Sequence, residues 1–106
     1  MNIKFLYFDG CPNSIQTLRN LKEALNEMNI SENYLEIIEV NELKLAEKIN
    51  FSGSPTILLN GKDIYTDEIP VEVNYACRIY EFNGTKTGVI PKDFIKEKLK
   101  KQNQNK

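Results

Sequence analysis

The sequence contains no histidine. That absence removes His-based acid–base catalysis, Ser–His and Cys–His nucleophile pairs, and every zinc site that includes an imidazole. Arginine is almost as scarce. Of the 14 basic residues only Arg19 and Arg78 are arginine, so bidentate phosphate recognition is not the main task of this chain. The net charge of −1 gives no electrostatic reason to expect nucleic acid or an anionic membrane as a partner. No apolar run approaches the length of a membrane span, and the first residues run straight into a strand pattern without the marks of a signal peptide. Cysteine is limited to Cys11 and Cys77. Without a secretion signal, two cysteines point to a reducing cytoplasm, where a reactive thiol is favoured over a structural disulfide.

What remains is ordinary globular material. A chain of 106 residues with 41% apolar and 27% charged residues supports one domain with one modest core. Ile3, Phe5 and Tyr7 alternate with Leu6 and Phe8, which makes both faces apolar and predicts a central strand covered on both sides. Asp9-Gly10 ends it. Pro12 opens a helix in which Ile15, Leu18, Leu21, Leu25 and Met28 form one stripe, and Asn29 stops it. Residues 34–40 form a second strand, near an edge because Glu36 and Glu39 break its alternation. A right-handed βαβ connection makes the two strands parallel.

Asn41 caps a short helix carrying Leu43, Ala46 and Ile49. Gly53-Ser54-Pro55 leads into the apolar run 56–59. Asn60-Gly61 is a type I′ hairpin signal that turns the chain back through residues 62–65. Residues 66–75 are acidic and irregular, residues 76–82 read as another strand, Asn83-Gly84 is a second hairpin turn, and Pro91 opens a last helix with Phe94, Ile95 and Leu99. The domain is expected to span residues 1–101, with 102–106 a disordered polar tail.

Cys11 sits where the first strand ends and the first helix begins. The unpaired N–H groups and positive dipole end of that helix stabilise a thiolate, so Cys11 is expected to titrate below the usual thiol value of about 8.5. The competing reading makes it a small buried residue filling a turn. Ser14 follows three residues later. Its hydroxyl can donate to a thiolate at Cys11 or satisfy a backbone group in the first helical turn. Asp9 opposes activation if it faces the thiol; with Gly10 it more naturally fixes the turn and faces solvent.

Taken together, the strand, Cys-x-x-Ser at a helix start, a β-α unit, and Gly-Ser-Pro-Thr opening a hairpin strand resemble the thioredoxin superfamily on its glutaredoxin-sized side. The resemblance covers residues 2–66 and the last helix. The chain is most similar to small thioredoxin-like proteins that pair Gly-Cys-Pro with Gly-Ser-Pro-Thr and a later Cys-Arg-x-Tyr, here Cys77-Arg78-Ile79-Tyr80. Some of those carry a label related to alkylmercury lyase. The resemblance implies an α/β thioredoxin-like fold: a central mixed sheet, helices on both faces, and an extra strand or loop segment before the last helix. It also implies a cis proline at Pro55 facing Cys11, with Ser54 offering backbone groups to an extended substrate or to glutathione. Pro12, Ser54 and Pro55 would then bind substrate, while Cys11, Ser14 and Cys77 carry the chemistry.

Cys77 has two possible places. If residues 62–65 form the fourth strand, the following loop starts near Cys11 and can deliver Cys77 there. If residues 76–82 form it, Cys77 begins that strand at the far end. The tight Asn60-Gly61 turn favours the first course. Three functions follow. The leading one is thiol–disulfide exchange with Cys11 as nucleophile, no bound cofactor, and a protein or small-molecule thiol or disulfide as partner. Glutathione or Cys77 would release the product. The others are soft-metal or mercury handling by Cys11 and Cys77, and a non-catalytic binding module.

Overall fold

The computed structural model describes residues 1–104. Strand β1 (Ile3–Tyr7) is followed by helix α1 (Asn13–Glu27), β2 (Leu35–Glu39), α2 (Leu43–Ile49), β3 (Thr56–Leu59) and β4 (Lys62–Asp63). Then come β5 (Tyr80–Phe82), β6 (Thr85–Thr87) and α3 (Lys92–Gln104). The main sheet has the order β2-β1-β3-β4. Strand β1 is parallel to β2, with Phe5 opposite Ile37, and antiparallel to β3, with Phe5 also opposite Ile57. β3 and β4 are antiparallel.

The period-two alternation of β1 divides the core. Ile3 and Phe5 join Ile57, Leu59 and the buried faces of α1 and α3 (Leu21, Leu25, Ile95, Leu99) on one side. Leu6 joins Val40, Ala46, Phe51 and Leu58 on the other, beneath α2. The mixed sheet with helices on both faces is therefore present, and β2 is an edge strand as its glutamates indicated.

Local chemistry explains where elements stop. Asn29 takes a positive φ of 57°, and the Asn29 and Ile30 N–H groups donate to the carbonyls of Asn26 and Leu25 at 3.2 and 2.9 Å. This is a Schellman closure of α1. Asn50, with φ 54°, ends α2 in the same way through the Phe51 N–H and the Ala46 carbonyl. Asn60-Gly61 and Asn83-Gly84 all have positive φ, as two-residue hairpins with right-handed strand twist require.

Four expectations are corrected. Ile15 is 69% exposed; the buried face of α1 instead runs Ser14, Thr17, Leu21, Ala24 and Leu25. Its first turns meet polar groups rather than the apolar core: the Thr17 hydroxyl accepts from the Ile90 N–H at 3.2 Å. The N-cap of α2 is Glu42, without a side-chain bond, and not Asn41. Residues 76–82 do not form one strand, since only Tyr80–Phe82 pairs with β6, in a separate two-stranded sheet. Finally, α3 continues through Gln104, past the expected domain boundary. Of the expected tail, residues 105–106 lie outside the described residues.

α1 and α3 are tied by Glu27, whose carboxylate meets the Lys92 and Lys96 ammonium groups at 2.7 and 2.8 Å. Hydrogen bonds from Lys92 and then Lys96 lower its pKa from 4.5 to about 2. A carboxylate depressed on folding contributes stability above its unfolded pKa and loses it as pH falls through the folded value. The melting temperature of Glu27→Gln should therefore lie below wild type above about pH 5, and the gap should close towards pH 2. Added salt should shrink it, because the pair is exposed. Thermal unfolding followed across pH checks this; a gap independent of pH would assign the effect to packing.

Candidate functional site: a thiol pair at the start of the first helix

Gly10, with φ 95°, turns the chain from β1 into Pro12 and α1, leaving Cys11 4% exposed. No side chain caps the helix; the Ser14 N–H donates to the Cys11 carbonyl at 3.2 Å, and the Asn13 N–H is the one that serves the sulfur. The Ser54–Pro55 peptide bond is cis, and the Ser54 carbonyl lies 3.5 Å from Cys11 Sγ. Ser54 Oγ accepts from the Phe8 N–H at 3.2 Å and lies 3.0 Å from Ser14 Oγ. Two hydroxyls share one hydrogen bond between them, so one hydroxyl proton is not used within the pair whichever way it is oriented.

Cys77 is the residue on which the site turns. β4 takes the hairpin course, and the loop after it returns to Cys11. Cys77 forms a parallel bridge with Ser54: the Ser54 N–H donates to the Ala76 carbonyl at 2.9 Å, and the Arg78 N–H donates to the Ser54 carbonyl at 2.8 Å. The two sulfurs are 2.9 Å apart. Both cysteines are free, Cys11 buried and Cys77 exposed.

Burial pushes the Cys11 pKa up, but hydrogen bonds from the Cys77 thiol, Ser54, the Asn13 N–H and Ser14 outweigh it and hold the value below that of an ordinary thiol. Cys77 moves the other way, chiefly because its hydrogen is engaged with Cys11; partial desolvation and the neighbouring negative charge add to this. Asp9 is exposed. Cys11 is therefore the thiol of the pair that ionises first, and once ionised it accepts from Cys77.

Several residues that position this pair gave no local sequence signal. Arg78 turns away from Cys77 and binds Asp63 Oδ2 at 2.5 Å and Thr56 Oγ1 at 3.1 Å, with its guanidinium 4.6 Å from the Tyr80 ring centre. The Tyr75 hydroxyl donates to the Val40 carbonyl at 3.0 Å, and its ring packs on Phe8 and Phe51. Gly53 has φ 112°, and a Cβ there would come within 3.0 Å of Arg78 Cβ and 3.3 Å of the Ala76 carbonyl. Glycine is thus required for the loop to approach. The single available hint was an arginine beside cysteine in an arginine-poor chain.

All six residues singled out from the sequence fall at this junction. Cys11, Ser14, Ser54 and Cys77 are joined by direct contacts, Pro55 is buried behind Ser54, and Pro12 is exposed at the head of α1. Among the described residues, no group of three or more His, Cys, Asp or Glu side chains is placed to hold a metal ion, and no helix is long and apolar enough to cross a membrane.

A mixed β2-β1-β3-β4 sheet covered by helices, with a cysteine at the first helix start against a proline-led strand, defines a thioredoxin-like domain. The thioredoxin-domain family model matches residues 1–73, and the chain belongs to that family. The match ends before Cys77. Comparison with curated proteins and with solved structures returns no match.

Two measurements test the geometry. Arg78→Ala leaves a buried carboxylate at Asp63, whose side chain is 4% exposed, and should cost about 3–5 kcal/mol in urea unfolding. Replacing both partners by apolar residues should recover most of that loss. Thiolate absorbance against pH should rise in two steps, one below and one above about 8.5, because touching thiols titrate as a pair. A single step for two equivalent thiols would contradict the contact.

Proposed function

We propose that this protein is a thiol–disulfide oxidoreductase working through the Cys11–Cys77 pair. The observation carrying this reading is the 2.9 Å separation of two free sulfurs. Closure to the disulfide length of about 2.05 Å needs a shift of about 0.9 Å. A linear two-thiolate site for a soft metal asks for a larger change: thiolates about 2.3 Å from a shared ion then stand about 4.6 Å apart, so the sulfurs would have to separate by about 1.7 Å.

In the proposed cycle the Cys11 thiolate attacks one sulfur of a substrate disulfide. The substrate S–S bond breaks, a mixed disulfide forms on Cys11, and the leaving thiolate takes a proton from water. Cys77 then gives its proton to water and attacks Cys11 Sγ. The mixed S–S bond breaks, the second substrate sulfur departs as a thiolate that takes a proton from water, and Cys11–Cys77 becomes the disulfide. Two electrons pass from the protein to the substrate, and an external thiol, glutathione or a protein dithiol, returns them. The Ser14 and Ser54 hydroxyls favour the Cys11 thiolate, and substrate rests on the exposed Pro12 side. Ser54 does not offer its backbone groups to substrate as the resemblance implied, because Ala76 and Arg78 already take its N–H and carbonyl. A reducing cytoplasm, which keeps both thiols available, belongs to the same reading; nucleic acid and membranes are not partners in it.

Thiol counting on graded oxidation should show both thiols disappearing together in a monomeric product. Cys11→Ser and Cys77→Ser should each block that product, and Cys11→Ser should abolish disulfide reduction. A Cys11→Ser variant as active as wild type would overturn the proposal. Reversible pair oxidation without turnover of any disulfide would favour the binding module.

A further inference from the structure

The approaches to Cys11 differ on its two sides. On one, the chain's own Ala76–Arg78 segment lies along Ser54 and uses both of its backbone groups. The segment is fastened on both flanks: by the Asn74 N–H to the Phe51 carbonyl at 2.8 Å, by Tyr75 to Val40, and by Arg78 to Asp63. An extended polypeptide arriving there finds no free N–H or C=O on Ser54 to pair with, and would leave its own groups unsatisfied against a closed edge.

On the other side Cys11 opens into a depression of about 270 Å³ whose lining includes Tyr7, Phe8, Asp9, Gly10 and Pro12. That is below the usual range of about 300–1,000 Å³ for small-molecule pockets. Its one charged lining residue is Asp9, and the hydroxyl of the lining Tyr7 donates to the Glu39 carboxylate at 3.4 Å. No lysine or arginine lines it.

Building on the oxidoreductase reading, we propose that the substrates are compact disulfides bearing ammonium groups, and that the Ala76–Arg78 segment excludes extended polypeptides. A small disulfide enters past Asp9 and meets the Cys11 thiolate with its ammonium groups against the acidic rim. A disulfide flanked by carboxylates is repelled there. Cys77 is already in place to complete the exchange, so the segment does not need to open.

The test compares three disulfides: cystamine (two ammonium groups), dithiodipropionate (two carboxylates) and insulin as a polypeptide. Each rate is divided by that of the same disulfide with free 2-mercaptoethanol, which removes intrinsic reactivity. At low ionic strength cystamine should lead dithiodipropionate by about fivefold, the scale of one charge interaction of about 1 kcal/mol. Asp9→Asn or added salt should shrink that ratio. Insulin should be the slowest, and Tyr75→Ala, which loosens the segment, should raise its rate selectively; Tyr75→Phe removes the bond to Val40 alone and guards against misfolding. Insulin reduced as fast as cystamine by wild type, or unmoved in both Tyr75 variants, would overturn the exclusion. Equal rates for the two charged disulfides would overturn the charge preference. Both results leave the oxidoreductase reading standing. Failure to reduce any of the three, with the thiol pair intact, would overturn that reading and this inference together.

Discussion

Ser54 is fully buried, and each of its polar groups has a partner from a different part of the chain. Its N–H and carbonyl hold the segment that carries Cys77. Its hydroxyl holds the end of β1 through Phe8 and the first turn of α1 through Ser14. Buried polar groups must be paired or they cost about 1–3 kcal/mol each, so three separate parts of the chain are forced to converge on one residue. The position of Cys11 over the Ser54 carbonyl and the contact between the sulfurs both follow from that convergence.

The thiol pair shows how burial and reactivity can coexist. Burial alone would make Cys11 an inert core thiol. The donors around it reverse the sign, and the largest of them is the second cysteine. One proton is shared between two sulfurs, so the same contact that favours a thiolate at Cys11 disfavours one at Cys77. Arg78, adjacent to Cys77 in sequence, leaves this balance alone because its charge is spent on Asp63.

Local signals in the sequence were enough for most of the scaffold. The double-sided apolar pattern of β1, the Asn60-Gly61 turn and the Asn29 stop depend on neighbouring residues and on backbone sterics, and each acts as its pattern indicated. Cys11 and Ser14 were legible for the same reason, being fixed by a strand-to-helix junction. Ile15 misled because its spacing matched an apolar stripe, while the opposing surface at the head of α1 is polar. Residues 76–82 misled because their strand propensity is real but their partners are Ser54 and β6 instead of one continuous neighbour. The Arg78–Asp63 pair and the clearance at Gly53 were not legible, since both arise from contacts between segments distant in sequence.

The spacing of the two cysteines has a mechanical meaning. A disulfide inside a Cys-x-x-Cys motif closes a loop of a few residues and hardly restricts an unfolded chain. Cys11 and Cys77 are 66 positions apart, so linking them ties the first strand–helix junction to the far side of the β3–β4 hairpin. Everything between, including α1, β2 and α2, is enclosed in one covalent ring. On chain-entropy grounds a ring of that size is worth about 4 kcal/mol, a large fraction of the stability of a domain this small. Oxidation would act as a latch on the whole βαβ half of the molecule, so its resistance to unfolding and to proteases would rise and fall with the ambient redox potential.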